Sequence, residues 1–213
     1  MSGPDFDQAL IAAAFQRAAE LGWTRLTIVD AARAAGLSVA EARARFPGKL
    51  ALLLRFGVLL DQAALAAAPS DGPARDRLFD LVMSRFDAMK PHRSGLRALL
   101  RHLPGDPPLA LLLGCATRRS MRWMLQAAGI STAGLRGGLR VRGMVAVWLW
   151  SLRAFEGDAS EDLAPTMAAL DTALRRVHAA GSWLGGPHES TPAEPDEDAS
   201  MAGDAGEADE TAG

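Results

Sequence analysis

The sequence contains no tyrosine and one cysteine, Cys115. One cysteine excludes an intramolecular disulfide and a cysteine-rich zinc site, and it suits a reducing compartment. Isoleucine and threonine are also scarce, whereas alanine and leucine dominate the apolar residues, which make up 49% of the chain. A chain poor in the β-branched and aromatic residues that strands favour, and rich in helix formers, is expected to be all-α. Uninterrupted apolar runs such as GMVAVWLW fall well short of the roughly 20 residues that cross a bilayer. Two acids precede the first apolar run in MSGPDFDQALIAAAF, so that run does not read as a secretory signal. The expectation is a soluble, cytoplasmic protein.

Motifs for catalysis are missing as well. Neither G-x-G-x-x-G, nor G-x-x-x-x-G-K-[ST], nor H-E-x-x-H occurs. His92, His102, His178 and His188 fall on separate segments without metal-ligand spacing. Cys115 lies in the apolar run LLLGCA, where a buried structural thiol is expected rather than a nucleophile. Asp158, Glu161 and Asp162 read as a turn and helix cap, not as an acid–base pair. No enzyme, metal or cofactor is implied.

The net charge of −2 conceals a division along the chain. Residues 185–213 carry nine acids and no Lys or Arg, which leaves residues 1–184 with 23 bases against 16 acids. Residues 1–68 hold seven bases and six acids, so most of the basic excess lies farther along. The terminal stretch lacks apolar periodicity and is expected to be a disordered acidic tail with a solubilising role.

Helical periodicity begins early, with Ile11, Phe15 and Ala18 on one stripe and Gly22 as its stop. Thr27 or Asp30 can open a second short helix carrying Ile28, Ala31, Ala32 and Ala35. Gly36-Leu37-Ser38 breaks it, and Ser38 with Glu41 three residues later forms a capping-box pattern for a third. Pro47-Gly48 ends that helix. A long, nearly all-apolar helix is expected over 49–68, followed by a linker over 69–73. Further helices are expected to about Pro91, over 94–103, over 107–128, over 133–155, and last to about Ala180. The domain reading is residues 1–48 as a helix-turn-helix domain, 49–184 as a helical bundle, and 185–213 as the tail.

Two short helices joined by a glycine-containing turn form the helix-turn-helix arrangement. On Thr27, Ile28, Ala35, Gly36, Leu37, Ser38, Phe46, Pro47 and Lys49, the stretch TIVDAARAAGLSVAEARARFPGKLALL resembles the tetracycline-repressor (TetR) family of transcriptional regulators. The resemblance implies that the helix opened by Ser38 enters the major groove of double-stranded operator DNA, with Lys49 near a phosphate. Hydroxyls and helix N-termini grip phosphate, and arginine can read guanine. The DNA-binding candidates are Thr27, Ser38, Val39, Arg43, Arg45 and Lys49, with Arg25 a weaker one. A purely structural role for this helix, with solvated arginines, remains the alternative, and Glu41 would face phosphates unless its capping role turns it back. A second resemblance is to lipid-binding accessory proteins of ubiquinone biosynthesis, which share the fold without reading DNA. It rests on Gly22-Trp23-Thr24, Phe46-Pro47-Gly48 and the acidic segment from Asp158 to Asp162.

The TetR resemblance also implies a homodimer and a small apolar effector, or a lipid, held in the C-terminal bundle. Trp123, Met144, Trp148 and Phe155 are the pocket candidates, because aromatic and flexible apolar side chains wall most ligand sites. Core packing is the competing reading for Met144 and Trp148. Trp150, off the main stripe, suits a pocket wall or a dimer seam. Gly134, Gly137, Gly138 and Gly143 either permit close helix approach or mark an irregular helix start. Arg118, Arg119 and Arg122 read as a solvated face, with a role in holding an acidic ligand as the lesser alternative.

Overall fold

The computed structural model describes residues 3–67 and 71–179, so the acidic tail expected at 185–213 lies outside the described residues. Among the described residues every regular element is helical. The α-helices are α1 (Gly3–Leu21), α2 (Ile28–Ala34), α3 (Val39–Arg45), α4 (Lys49–Ala66), α5 (Ala74–Met89), α6 (Arg93–His102), α7 (Pro107–Ala127), α8 (Gly134–Gly157) and α9 (Ala164–Ala179). Short 3₁₀ turns at Lys90–His92 and Leu103–Gly105 flank α6. No described helix is long and apolar enough to cross a membrane.

Local chemistry explains where the short helices start and stop. Thr27 caps α2 by accepting a hydrogen bond from the Asp30 amide at 3.1 Å. At the other end Gly36 takes φ 65°, and the Leu37 amide reaches back to the Ala32 carbonyl at 2.8 Å. That is a Schellman stop, whose left-handed residue strongly favours glycine. Ser38 then caps α3 by accepting from the Glu41 amide at 3.3 Å. The α7 helix opens on Asp106, which accepts from the Leu109 amide at 3.1 Å ahead of two prolines that need no donor of their own.

One apolar core runs from Phe6 and Phe15 on α1 to Leu170 and Leu174 on α9. The three-helix unit is fastened to the bundle by α1, which packs against both α4 and α6. Phe15 lies with its ring 4.6 Å from Phe56 of α4 and 5.4 Å from His92. Burial among these rings lowers the His92 pKa. The α1–α6 crossing is closest at Gly95, where any Cβ would overlap the Phe15 carbonyl. Gly137 plays a similar part against Thr132 at the start of α8, whereas nothing crowds Gly134 or Gly138.

The α8–α9 connection is gripped by cations from the neighbouring helix. Lys90, Arg93 and Arg97 donate to the carbonyls of Glu161, Asp158 and Glu156. Arg93 and Arg97 sit where the free carbonyls of the α8 C-terminus gather negative charge. The buried Asp158 carboxylate accepts from the amides and hydroxyls of both Ser160 and Thr166. Burial alone would raise its pKa, but the hydrogen bonds outweigh it and bring the value down to about 2. The acidic segment read from the sequence as a turn and helix cap is therefore an anchored corner.

Candidate nucleic-acid interface and ligand cavity

Two regions could carry function: the outer face of α3 and a large cavity in the bundle. On α3, the apolar Ala42 faces inward, while Val39, Ala40, Arg43 and Ala44 face solvent. The N-terminal half of the helix is anchored by its own caps. Its basic residues, however, fall into two different roles.

Arg45 is engaged within the molecule. One guanidinium nitrogen donates to the Gly3 carbonyl at 3.0 Å and to Asp7 at 3.3 Å, and the other pairs with Glu41 at 2.8 Å. The group also lies over the Phe6 ring, 4.8 Å from its centre. Asp7 is buried and is shared with Arg55 of α4 at 2.7 Å. Arg45, expected from the sequence to contact DNA, thus ties α3 to α1. Glu41 does not turn back to complete a capping box; its carboxylate is balanced by Arg45 one helical turn on.

Lys49 is similarly employed. Its ammonium donates to the Trp23 carbonyl at 2.9 Å and the Thr24 carbonyl at 3.4 Å, and it lies 5.4 Å from the Trp23 ring centre. Burial lowers its pKa, partly offset by the charge of Asp106. Lys49 therefore staples the start of α4 to the turn between α1 and α2. Thr27 and Ser38 are spent on helix capping through their oxygens, although both stay exposed, as does Val39. Arg43 points outward with Arg25 and Arg33 also exposed nearby in sequence. Of the basic residues proposed from the sequence, Arg43 is the one on the open face of α3.

The cavity measures about 1000 Å³ and is walled by α4, α5, α6, α7 and α8. Its lining is mostly apolar, with Leu53, Phe56 and Leu60 from α4, Leu96 from α6, Leu113 from α7 and Leu152 from α8. Trp123 and Trp148 line it as well. Trp123 is 52% exposed and stands at the opening, whereas Trp148 is buried and stacks on Phe86 with centres 4.7 Å apart. Met144 and Phe155, expected at the wall, are instead fully inside the core, and neither is a lining residue. Both lie on the buried stripe of α8 with Val141, Val147 and Trp148, and of these five only Trp148 reaches the cavity. Cys115, expected as a buried thiol, is exposed and lines the cavity. Leu112, Leu113, Gly114 and Ala116 beside it line the same hollow.

The cavity also holds a polar group, Asp61, Arg85 and Ser120, that is not among the candidates read from the sequence. Arg85 of α5 is only 5% exposed and forms an ion pair with Asp61 of α4. Ser120 of α7 donates to the same carboxylate at 2.6 Å, and the guanidinium lies 5.0 Å from the Trp148 ring centre. Burial lowers the Arg85 pKa to about 10, so the group stays charged near neutrality. All three side chains line the cavity. Two signals in the sequence could have pointed to them. Asp61 is an acid inside an otherwise apolar run, and Arg85 sits among Val82, Phe86 and Met89 on the buried stripe of α5. Arg118 and Arg122 lie on the solvated face of α7, and Arg119 reaches the cavity rim while remaining exposed. Among the described residues no group of His, Cys, Asp and Glu converges to hold a metal ion.

No protein-family model and no curated protein matches the sequence. Solved structures do match by shape. A TetR transcriptional regulator from Nitrosomonas europaea superposes with a TM-score of 0.67 at 21% identity, over 82% of this chain and 99% of that one. A tetR-family regulator from Streptomyces coelicolor gives 0.56 at 23% identity, over 82% and 85% of the two chains. A TetR regulator from Rhodococcus sp. RHA1 gives 0.51 at 18% identity, over 78% and 94%. The chain has the all-α TetR-like fold.

Proposed function

We propose that the protein is a homodimeric DNA-binding transcriptional regulator whose affinity for its operator responds to a small apolar effector held in the cavity. The observation that carries this reading is the position of α4. Its first residue, Lys49, is stapled to the turn before α2, and its later residues Leu53, Phe56, Leu60 and Leu65 wall the cavity. One rigid helix thus links the helix-turn-helix unit to the space a ligand would fill. The named relatives of similar shape are regulators by description, which supports the same reading. A ligand that favours one tilt of α4 would shift the α3 helices of a dimer relative to each other.

In this reading α3 enters the major groove with Arg43 toward the bases or phosphates. The hydroxyls of Thr27 and Ser38 and the exposed Arg25 and Arg33 border the DNA backbone. Pairing through the outward face of α8 supplies the dimer. Leu135, Leu139, Leu149 and Trp150 are exposed along it, with Leu135 at 96%, and Trp150 is flanked by Arg176 of α9. A two-fold dimer would set the two α3 helices roughly 34–36 Å apart, one turn of DNA. Selection from a random DNA pool, read alongside sedimentation of the free protein, tests the proposal. Enrichment of a palindrome bound by a dimer, and weakened by Arg43→Ala, is expected. A monomer that enriches no sequence at low salt would refute it.

A further inference from the structure

An inference from the Asp61–Arg85–Ser120 group in the cavity wall, in which Arg85 and Ser120 are buried, goes beyond the proposal of an apolar effector, on which it rests. We propose that it makes the cavity selective for neutral apolar molecules bearing a carbonyl-type hydrogen-bond acceptor, and that it rejects their carboxylate counterparts. Three observations lead there. First, the pair stands in a hollow otherwise walled by leucines, phenylalanine and tryptophan, where an ionic group is costly unless something needs it. Second, the guanidinium is under-satisfied. Its Nε has no hydrogen-bond partner, and the face over Trp148 supplies only a cation–π contact. Third, its charge is already balanced. Asp61 holds Arg85 on one side and accepts from Ser120 on the other.

The consequence for a ligand follows from that balance. A ketone, ester or lactone oxygen can accept from the guanidinium without adding charge, and its hydrocarbon body can lie along Leu53, Leu96 and Leu113. A carboxylate would place a second negative charge beside Asp61 in a medium of low dielectric. Arg119 does not change the sign of this effect, because it is exposed at the rim and its charge is screened by water.

Displacement of the neutral fluorophore N-phenyl-1-naphthylamine gives the test, with 2-dodecanone, 1-dodecene and dodecanoate as competitors. Ratios between competitors are compared across variants, so differences in water solubility cancel. In the wild-type protein 2-dodecanone is expected to compete more strongly than dodecanoate. In Arg85→Met/Asp61→Leu, a swap of a buried pair for apolar side chains that often preserves folding, the ketone-to-alkene ratio should fall roughly tenfold. In Asp61→Asn, which keeps the shape and frees the arginine's charge, dodecanoate should gain roughly tenfold on the ketone. Fluorophore binding with ratios unchanged in both variants would overturn the selectivity while leaving an apolar effector site intact. Failure of the wild-type protein to bind the fluorophore or any competitor would overturn the apolar-effector reading and this inference with it.

Discussion

Replacing Arg45 by alanine and, separately, Arg43 by alanine should produce opposite outcomes, although both arginines lie on the same seven-residue helix. Arg45 has about a third of its side chain exposed and makes four contacts at once: with Gly3, Asp7, Glu41 and the Phe6 ring. A partly exposed ion pair contributes about 0.2–1 kcal/mol, a cation–π contact at such a site about 0.5–1, and the bond to the carbonyl about 1. These share one guanidinium and do not add in full. Asp7 also keeps Arg55 at 2.7 Å, so it is not left as a lone buried charge. Arg45→Ala should therefore cost about 1–2 kcal/mol, which lowers the Tm by about 2–8 °C in a domain of this size. Arg43→Ala removes an outward side chain and should change stability by less than about 0.5 kcal/mol. On the selected operator it should weaken binding and reduce the magnitude of the salt slope by about 1. Thermal unfolding followed by circular dichroism, and DNA binding followed by fluorescence anisotropy at several salt concentrations, measure both. The reasoning is refuted if Arg45→Ala melts with the wild type yet loses the same salt slope as Arg43→Ala.

Other expectations concern packing and titration. Gly95→Ala forces a methyl group into the Phe15 carbonyl, so α1 and α6 must separate; a loss of about 3 kcal/mol or more in urea unfolding is expected. The Asp158 carboxylate has a folded pKa of about 2 against an ordinary 3.8, so its contribution is full above the unfolded value and disappears as pH falls toward 2. Acid unfolding of Asp158→Asn should accordingly lose less stability across that interval than the wild type does. Cys115 is exposed on the cavity wall, so it should react with an aromatic disulfide reagent in the native protein, and bound N-phenyl-1-naphthylamine should slow the reaction. A thiol that reacts only after unfolding would contradict the placement of this helix face.

Much of the framework was legible because it rests on local rules. Thr27 and Ser38 cap helices through atoms three residues away, and Gly36 is required by the backbone of its own turn. Lys49, Asp106-Pro107 and Gly157 mark helix ends close to those read from periodicity. The short 3₁₀ turn through Pro91 shows the limit of such reading, since the chain passes from α5 to α6 with little interruption. The candidate site was less legible because its residues meet across long separations. Asp61 and Arg85 lie 24 positions apart, and Ser120 donates from 59 positions beyond Asp61. A charged residue on an apolar stripe shows that something must balance it, but not which partner does so.

The helical class, the helix order and the two capped short helices around Gly36 follow from local chemistry, because capping, turn geometry and the 3.6-residue period act within a few residues. How each side chain is used follows instead from the packing of distant helices. That packing spent Arg45 on Asp7 and Lys49 on the Trp23 carbonyl, left Arg43 outward, buried Met144 and Phe155, and opened Cys115 to a cavity. Those assignments depend on where distant helices come to rest, and a buried charge takes whichever opposite group the packing brings within reach.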